Sequence, residues 1–600
     1  MKSAVNRREF FIIGFIFIVL VLAKIILALS MQCPSIIGDE TVYSGNAIAF
    51  AEKISIESIL DMDNPPFYSV LLSIAYIFGD PAGANYHLLL IINAFLAGLI
   101  LFPAYFLLRD YCPYKIAVSG AVLISVVPPV FNWGFYIMTE TLFTTLLVYS
   151  FYAINKLFRE NKPHWFLLTL FTLVLLFGTK AIGVFQLPAA CVAAILFVML
   201  SRRNGFFKQI KKIQILFIAC ISLMICIIMV KTLFNQSISA FSQYNTGGYL
   251  SNLIGVISSP DLFVAFVILF IRECQILVLL TYLVLFVSAL FLLFTLVKTI
   301  QNKGNDVKIL FSKKFANSIM KVPALLPAMV CLITYITLTT LMYLVLVTNH
   351  MLYVPTWQYV GQADMFQIFS RYLDPIVPGV LIIGIIGMST LNFSSNFTKT
   401  AYWYISALIL SLPLFYFNFP FLGYRLGDTL SVFSYSWLSV VFKSQLAGFF
   451  IVVLLFFIST LFFLFAVKKS KKHYFLIFLI AVSLLLSGYT YTLEVHSSQD
   501  ADLGWGGVCG KSMAEYVEDN AKIYAFYANE GNSVDISQYI IKFYLKRPVS
   551  VLTKEELMSE NFTASIIESG VPTYLVSDVP VMADQKQSIY GYPGFVLQLS

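Results

Sequence analysis

Long apolar runs alternate with short polar segments over most of this chain. A helix needs about 20 mostly apolar residues to cross a bilayer, and runs near that length recur from residue 10 to residue 488. This pattern predicts a polytopic α-helical membrane protein with about thirteen transmembrane helices. The predicted spans are 10–30, 85–108, 116–135, 141–157, 165–178, 182–200, 213–230, 275–297, 322–347, 372–390, 401–416, 446–467 and 474–488.

The polar segments on one predicted side of the membrane are long. They include residues 31–66, 231–260 and 348–370, and two short apolar stretches, 67–78 and 262–271, lie among them. Both stretches are too short to span, so we expect helices that lie in the membrane interface. A protein that only transports a solute more often has short loops and polar residues deep in its helices. The polar residues here concentrate at one rim instead.

The pattern changes after residue 488. Residues 522–527, 549–552 and 573–576 are predicted strands, and residues 537–544 and 554–569 are predicted helices. Alternating strands and helices indicate a small α/β domain. We therefore divide the chain into a membrane domain, 1–488, and a C-terminal domain, 489–600.

The composition restricts the class of protein further. Hydrophobic residues make up 59% of the 600 residues, and charged residues make up 12%, whereas soluble domains carry roughly 25% charged residues. So few charges cannot cover a soluble globule of this size. Secreted, fibrous and disordered classes are excluded, and so is a nucleic-acid-binding protein.

The distribution of basic residues predicts the orientation in the cell membrane. One set of loops holds 24 Lys and Arg residues, and the opposite loops of the membrane domain hold six. Because basic loops stay in the cytoplasm, we expect a cytoplasmic N-terminus and an extracytoplasmic C-terminal domain. That domain is acidic, with 14 acidic and 7 basic residues from Tyr489 onward.

Acidic residues at the outer rim are the first candidates for chemistry. Asp39 and Glu40 follow the first span, and Glu140 begins the fourth. Carboxylates beside an apolar membrane face are costly unless they are solvated, paired or used, and a raised pKa there would suit a general base. Asp39 and Glu40 also suit a solvated helix start, and Glu140 suits either a helix-start charge or a second active-site acid. Both interpretations stay open.

Two rim cations and a proline pair complete the candidates. Lys180 interrupts an apolar stretch, and Arg371 with Tyr372 opens a late span. Such cations either extend to the interface or hold a phosphate that leaves as an anion. Pro65 and Pro66 precede an apolar run, where their simpler role is to fix the backbone before a short helix. The eight cysteines show no metal-ligand spacing.

The order of these residues resembles the GT-C superfamily of polyprenyl-phosphate-sugar glycosyltransferases. Among its members, the chain is most similar to the protein O-mannosyltransferase and lipid A aminoarabinose transferase relatives. The resemblance covers residues 1 to about 390 by motif, and it rests on architecture beyond them. The chain departs from the aminoarabinose branch at Asn64, where a Lys commonly precedes Pro-Pro. It lacks the Trp-Trp-Asp signature of the oligosaccharyltransferase branch, since none of its six Trp residues is adjacent to another.

The resemblance implies roles for individual residues. Asp39, with Glu40 beside it, matches the acidic residue of the first outer loop, and Glu140 matches the acid that opens the fourth span. Lys180 and the Arg371-Tyr372 pair match positions near the lipid phosphate. A divalent metal could assist, but the sequence holds no dedicated ligand cluster, so the metal stays open.

The implied function is transfer of a single sugar from a polyprenyl-phosphate donor to an acceptor hydroxyl, with inversion. The acceptor can be a lipid, a protein or a glycan. A transporter or flippase of lipid-linked sugars is the rival from another class, and only Lys24 and the Arg272-Glu273 pair lie deep enough in the helices to serve it. A polymerase or ligase of surface glycans is the third alternative. Cys33 and Cys509 both fall on the predicted outer side, and whether they pair stays open.

Overall fold

The computed structural model of the protein is mostly helical. It describes residues 7–34, 37–52, 65–78, 82–160, 162–203, 254–301, 311–312, 315–317, 325–353, 373–391, 397–418 and 445–503, and short pieces of the rest of the tail. These pieces are 510–511, 513–514, 517–518, 521–526, 541, 544–545, 549–552, 559, 571–577 and 595–598. Several side chains inside the helices, including that of Asp39, lie outside this description.

The first half of the described chain contains eleven α-helices, several of them short. They are α1 (Arg7–Ala28), α2 (Ile37–Glu52), α3 (Phe67–Leu72), α4 (Ile74–Phe78), α5 (Ala82–Gly98), α6 (Leu101–Tyr111), α7 (Tyr114–Val126), α8 (Pro128–Phe131), α9 (Thr139–Glu160), α10 (Pro163–Thr179) and α11 (Gln186–Arg203). The later described helices are α12 (Pro260–Leu280), α13 (Val284–Gln301), α14 (Leu325–Tyr353), α15 (Val377–Thr390), α16 (Phe397–Asn418), α17 (Gln445–Lys468) and α18 (Lys472–Leu503).

Eight helices of the described part are long and apolar enough to cross a membrane, and a bent pair would make a ninth. The helices at Pro163–Thr179 and Asp374–Thr390 are apolar but shorter. The predicted span at 213–230 lies outside the described residues. The protein is therefore a multi-pass membrane protein, and the count of about thirteen spans stays a prediction.

The prediction for residues 262–297 was wrong. Instead of an interfacial helix and one span, the chain forms two long helices, α12 and α13, separated by a break at Thr281–Leu283. Tyr282 and Leu283 have φ angles of 57° and 41°, a left-handed conformation that costs energy for residues with side chains. The Tyr282 hydroxyl hydrogen bonds to Ser483 of α18 at 2.5 Å. A tertiary contact therefore accompanies the break, and no Gly or Pro marks it between residues 261 and 301.

Helix α9 lies at the centre of the membrane domain, packed against α5, α6, α10 and α14. Most of its side chains are buried, including every one from Thr139 to Val148. Helix α15 packs closely on α13, because a Cβ on Gly384 or Gly387 would collide with the backbone carbonyls of Leu285 and Ser288. Glycine at these two positions permits the close approach of the two helices.

The described residues of the C-terminal part form a sheet of four strands in the order β2-β1-β3-β4. The strands are β1 (Lys522–Phe526), β2 (Ser550–Leu552), β3 (Thr573–Ser577) and β4 (Phe595–Gln598). Strand β1 pairs in parallel with β2 and β3, and β4 adds an antiparallel edge. Three strands lie where the sequence predicts them, whereas β4 was not predicted. The boundary of the C-terminal domain at residue 489 stays a prediction, and α18 continues past it to Leu503.

Candidate active site

A sharp bend in the chain leads into Glu140. Helices at Tyr114–Val126 and Pro128–Phe135 meet at 61°, and the second ends in a 3₁₀ turn at Asn132–Phe135. Val127 is extended because the residue before a proline is disfavoured in the helical region. We call residues 128–138 the bent segment. All of its side chains are buried, so its irregular backbone needs partners from neighbouring helices.

Polar side chains from the first half of the chain supply two of these partners. Lys24 of α1 donates from Nζ to the carbonyls of Val130 at 3.3 Å and Phe131 at 3.5 Å. Asn93 of α5 donates from Nδ2 to the carbonyl of Tyr136. Buried carbonyls left without donors would destabilise the bend. Lys24 was a candidate for a transport pathway, and its Nζ donates to the carbonyls of this backbone.

Glu40 also binds the bent segment. Its carboxylate is fully buried, and Oε1 accepts a hydrogen bond from the backbone N–H of Ile137 at 2.8 Å. This bond joins α2 to the residues just before Glu140. Asp39 precedes Glu40 in the same helix, α2, and its side chain lies outside the described residues. The catalytic roles proposed for both residues stay predictions.

The buried Glu140 and the partly buried Lys180 form an ion pair at the ends of two helices. Lys180 Nζ lies 2.7 Å from Glu140 Oε1, and the side chains are 12% and 0% exposed. Thr139 donates from Oγ1 to the other carboxylate oxygen, Oε2, at 3.3 Å. Glu140 lies in the first turn of α9, where the helix dipole favours a negative charge. Lys180 is the C-cap of α10, where a positive charge is favoured.

Tyr68 lies near both carboxylates. Burial raises the pKa of its phenol well above the usual value, and the negative charges of Glu40 and Glu140 raise it further. The hydroxyl donates to Asn93 Oδ1 at 2.8 Å. Since Glu40 and Glu140 both act on the same phenol, the structure brings together three of the residues named from the sequence: Glu40, Glu140 and Lys180.

Arg371 and Tyr372 lie outside the described residues, but Asp374 follows them closely. Asp374 is fully buried and accepts a hydrogen bond from the indole N–H of Trp133 at 2.5 Å. The Trp133 carbonyl in turn accepts from the Thr141 hydroxyl at 2.7 Å. The bent segment is thus attached to the stretch that opens the late span.

Sequence reasoning missed Asn93, Trp133 and Asp374. Asn93 is a polar residue inside an apolar run, which is a usable signal of a buried hydrogen bond. Asp374 stands in the Arg371–Pro375 stretch, but only its cationic neighbour was considered. Glu273, named for a transport pathway, is buried close enough to Asp374 to act on it electrostatically. Among the described residues, no group of three or more His, Cys, Asp or Glu side chains could hold a metal. Whether the reaction uses a metal stays an open question.

The Trp133–Asp374 bond should contribute measurably to stability. We expect Trp133→Phe to lower the free energy of unfolding by about 1.5–3 kcal/mol, the usual value for a hydrogen bond to a charged group. Trp165→Phe is a matched control, because Trp165 donates to the exposed carboxylate of Glu160 at 3.1 Å. Water can replace the indole as the donor there, so we expect a smaller loss. Detergent-titrated unfolding of both purified variants checks this. Equal losses in the two variants would contradict a special role for the buried bond.

Comparisons with known proteins agree with the helical architecture. No family model matches the sequence, and no curated protein matches it. The structure is similar to ArnT from Cupriavidus metallidurans bound to undecaprenyl phosphate, with a TM-score of 0.50, 12% identity, and 98% of each chain covered.

Two further solved structures are similar to a lesser degree. The apo state of the same ArnT gives a TM-score of 0.47 at 13% identity, with 94% of this chain and 93% of that chain covered. The archaeal oligosaccharyltransferase AglB from Archaeoglobus fulgidus, in complex with an inhibitory peptide and a dolichol-phosphate, gives a TM-score of 0.38 at 11% identity. The match covers 94% of this chain and 69% of that chain. ArnT is a lipid A aminoarabinose transferase of the GT-C superfamily. Over 98% of its length, this chain therefore has a fold similar to that of the ArnT structure.

Proposed function

We propose that this protein is a membrane glycosyltransferase that moves a single sugar from a polyprenyl-phosphate donor to an acceptor hydroxyl. The reaction takes place on the predicted extracytoplasmic face. The observation that carries the proposal is the buried Glu140–Lys180 pair beside Glu40, within a fold shared with ArnT. That neighbour binds undecaprenyl phosphate, which supports a lipid-linked donor here.

The chemical step follows from the groups assigned to it. Asp39 takes the proton of the acceptor hydroxyl as its oxygen bonds to the anomeric carbon of the sugar. The bond between that carbon and the phosphate oxygen breaks, and polyprenyl phosphate leaves with the bonding electron pair. Attack from the face opposite the phosphate inverts the anomeric centre. General-base assistance of this kind typically contributes about 10²–10⁴-fold in rate.

Cations near the scissile bond would stabilise the leaving phosphate. Lys180 is held by Glu140 at 2.7 Å, so a phosphate would meet an ammonium whose position is already set, which favours electrostatic stabilisation of the transition state. Arg371, close in sequence to the anchored Asp374, supplies the second cation in this proposal, with Tyr372 beside it.

A transfer assay with the purified full-length protein tests the proposal. Polyprenyl-phosphate-linked sugars are supplied in detergent with lipid, peptide or glycan acceptors, and free polyprenyl phosphate and the glycosylated product are measured together. We expect the two products in equal amounts. Movement of intact donor across proteoliposomes, without cleavage of its glycosidic bond, would instead establish the transporter function.

Arg371→Ala provides the variant for the same assay. We expect donor affinity to fall about ten- to hundred-fold, since a charge-assisted hydrogen bond to phosphate contributes roughly 1.5–3 kcal/mol. Arg425→Ala is the matched control, because Arg425 is an arginine of another predicted outer loop. Unchanged donor affinity in Arg371→Ala, or an equal loss in both variants, would contradict a specific phosphate contact.

A further inference from the structure

A groove lies between α17 and α18, next to the tight turn that joins them. Its cavity of about 390 Å³ falls in the range of small-molecule sites, roughly 300–1,000 Å³. The ring centroids of Phe462 and Phe478, which both line it, lie 5.1 Å apart. Most of the lining is apolar, and the polar groups come from Lys471 and Tyr474. The lining residues are Phe462, Phe465, Ala466, Lys471, Tyr474, Ile477 and Phe478.

The two ends of the groove differ in polarity. Lys471 and Tyr474 lie at the turn. Phe478 lies seven residues beyond Lys471, a distance of about 10 Å in a helix. Phe465 and Ile477 are exposed at the groove surface, 56% and 48% respectively, and both belong to helices that are candidate membrane spans. An occupant must therefore be polar at one end and apolar over the rest of its length.

Positive charge collects at the polar end. Lys468, Lys469 and Lys471 are all exposed, and within the described residues none of them has an acidic side chain within salt-bridge distance. Lys115 and Lys471 both lie close enough to the His473 ring to act on it electrostatically, so a fourth lysine adds to the cluster. A headgroup that binds here must carry a net negative charge.

We propose that this groove binds a phospholipid with an anionic headgroup from the surrounding bilayer. The headgroup phosphate pairs with Lys471, with Lys468 and Lys469 beside it, and one acyl chain lies between Phe465 and Ile477. Basic pockets between membrane helices are suited to anionic lipid headgroups. A zwitterionic lipid would bring its own ammonium group against the lysines. The site is separate from the Glu140–Lys180 pair and does not depend on the proposed glycosyl transfer.

Native mass spectrometry of the full-length protein tests the proposal. The protein is purified in a mild detergent and incubated with equal amounts of phosphatidylglycerol and phosphatidylcholine that carry the same acyl chains. We expect phosphatidylglycerol to be retained in preference, and Lys471→Gln to lower that preference about fivefold, since each lysine near the headgroups contributes roughly that factor. Lys298→Gln is the matched control, because Lys298 is exposed in the last turn of α13 and does not line the groove.

A second variant tests the groove itself. Ala466→Leu places extra carbons in the cavity and is expected to lower the retention of phosphatidylglycerol while leaving the charge unchanged. Soluble glycerol phosphate at the same concentration should not displace the lipid, because it has no acyl chain to bury. Absence of a preference for phosphatidylglycerol, or equal losses in Lys471→Gln and Lys298→Gln, would overturn the proposal. Displacement by glycerol phosphate would reduce the site to a simple anion site and would also overturn it. Elution volume and melting temperature confirm that the variants are folded.

Discussion

Replacing Asp39 by Asn is expected to lower the rate of sugar transfer by about 10²–10⁴-fold, the contribution of a general base. Asn has nearly the shape of Asp and caps a helix about as well, but it cannot accept the proton of an attacking hydroxyl. A purely structural role for Asp39 would therefore leave turnover almost unchanged. The measurement is transfer from a polyprenyl-phosphate donor by the purified variant, with expression level and melting temperature as controls of folding.

Glu40→Gln is the matched control for Asp39. The Gln carbonyl oxygen can still accept the hydrogen bond that Ile137 donates to Glu40 at 2.8 Å, so we expect folding to be retained and turnover to fall much less. Near wild-type turnover in a folded Asp39→Asn protein would remove Asp39 from the mechanism. If Glu40→Gln then loses the activity, Glu40 is the base.

Glu140→Gln is expected to lower the free energy of unfolding by about 3–5 kcal/mol, because breaking a buried ion pair leaves its other charge poorly compensated. The Lys180 side chain is only 12% exposed, and its Nζ lies 2.7 Å from the carboxylate oxygen that is lost. The double variant Glu140→Gln, Lys180→Gln removes both charges and should regain most of the stability. Chemical unfolding of the wild type, both single variants and the double variant measures the coupling.

Transfer activity separates a structural pair from a functional one. If Lys180 stabilises the leaving phosphate, the double variant should stay at least about 10²-fold slower than wild type, the usual cost of losing one electrostatic donor, although it is stable. Wild-type turnover in the double variant would show that the pair serves folding alone. A double variant as unstable as Glu140→Gln would contradict the expected ion-pair coupling.

The candidate site was partly predictable. Glu40, Glu140 and Lys180 were named because charged residues are costly beside long apolar runs. Each of them is found near the end of a helix, close to the others. Their partners were not named. Ile137 bonds to Glu40 across 97 residues of sequence, and Trp133 bonds to Asp374 across 241. A backbone N–H or an indole N–H in an apolar stretch gives no sequence signal of its partner.

The sequence by itself determined that the protein lies in a membrane and where most of its helices run, because bilayer thickness sets the length of an apolar run. It also determined three of the four strands described in the C-terminal part, where strand-like and helix-like segments alternate. Only the tertiary structure decided the break at Thr281–Leu283, the bend before Glu140 and the pairing of Glu140 with Lys180. A uniformly apolar run has the same pattern whether it is straight or broken, and the contacts that choose between these conformations come from residues distant in the chain.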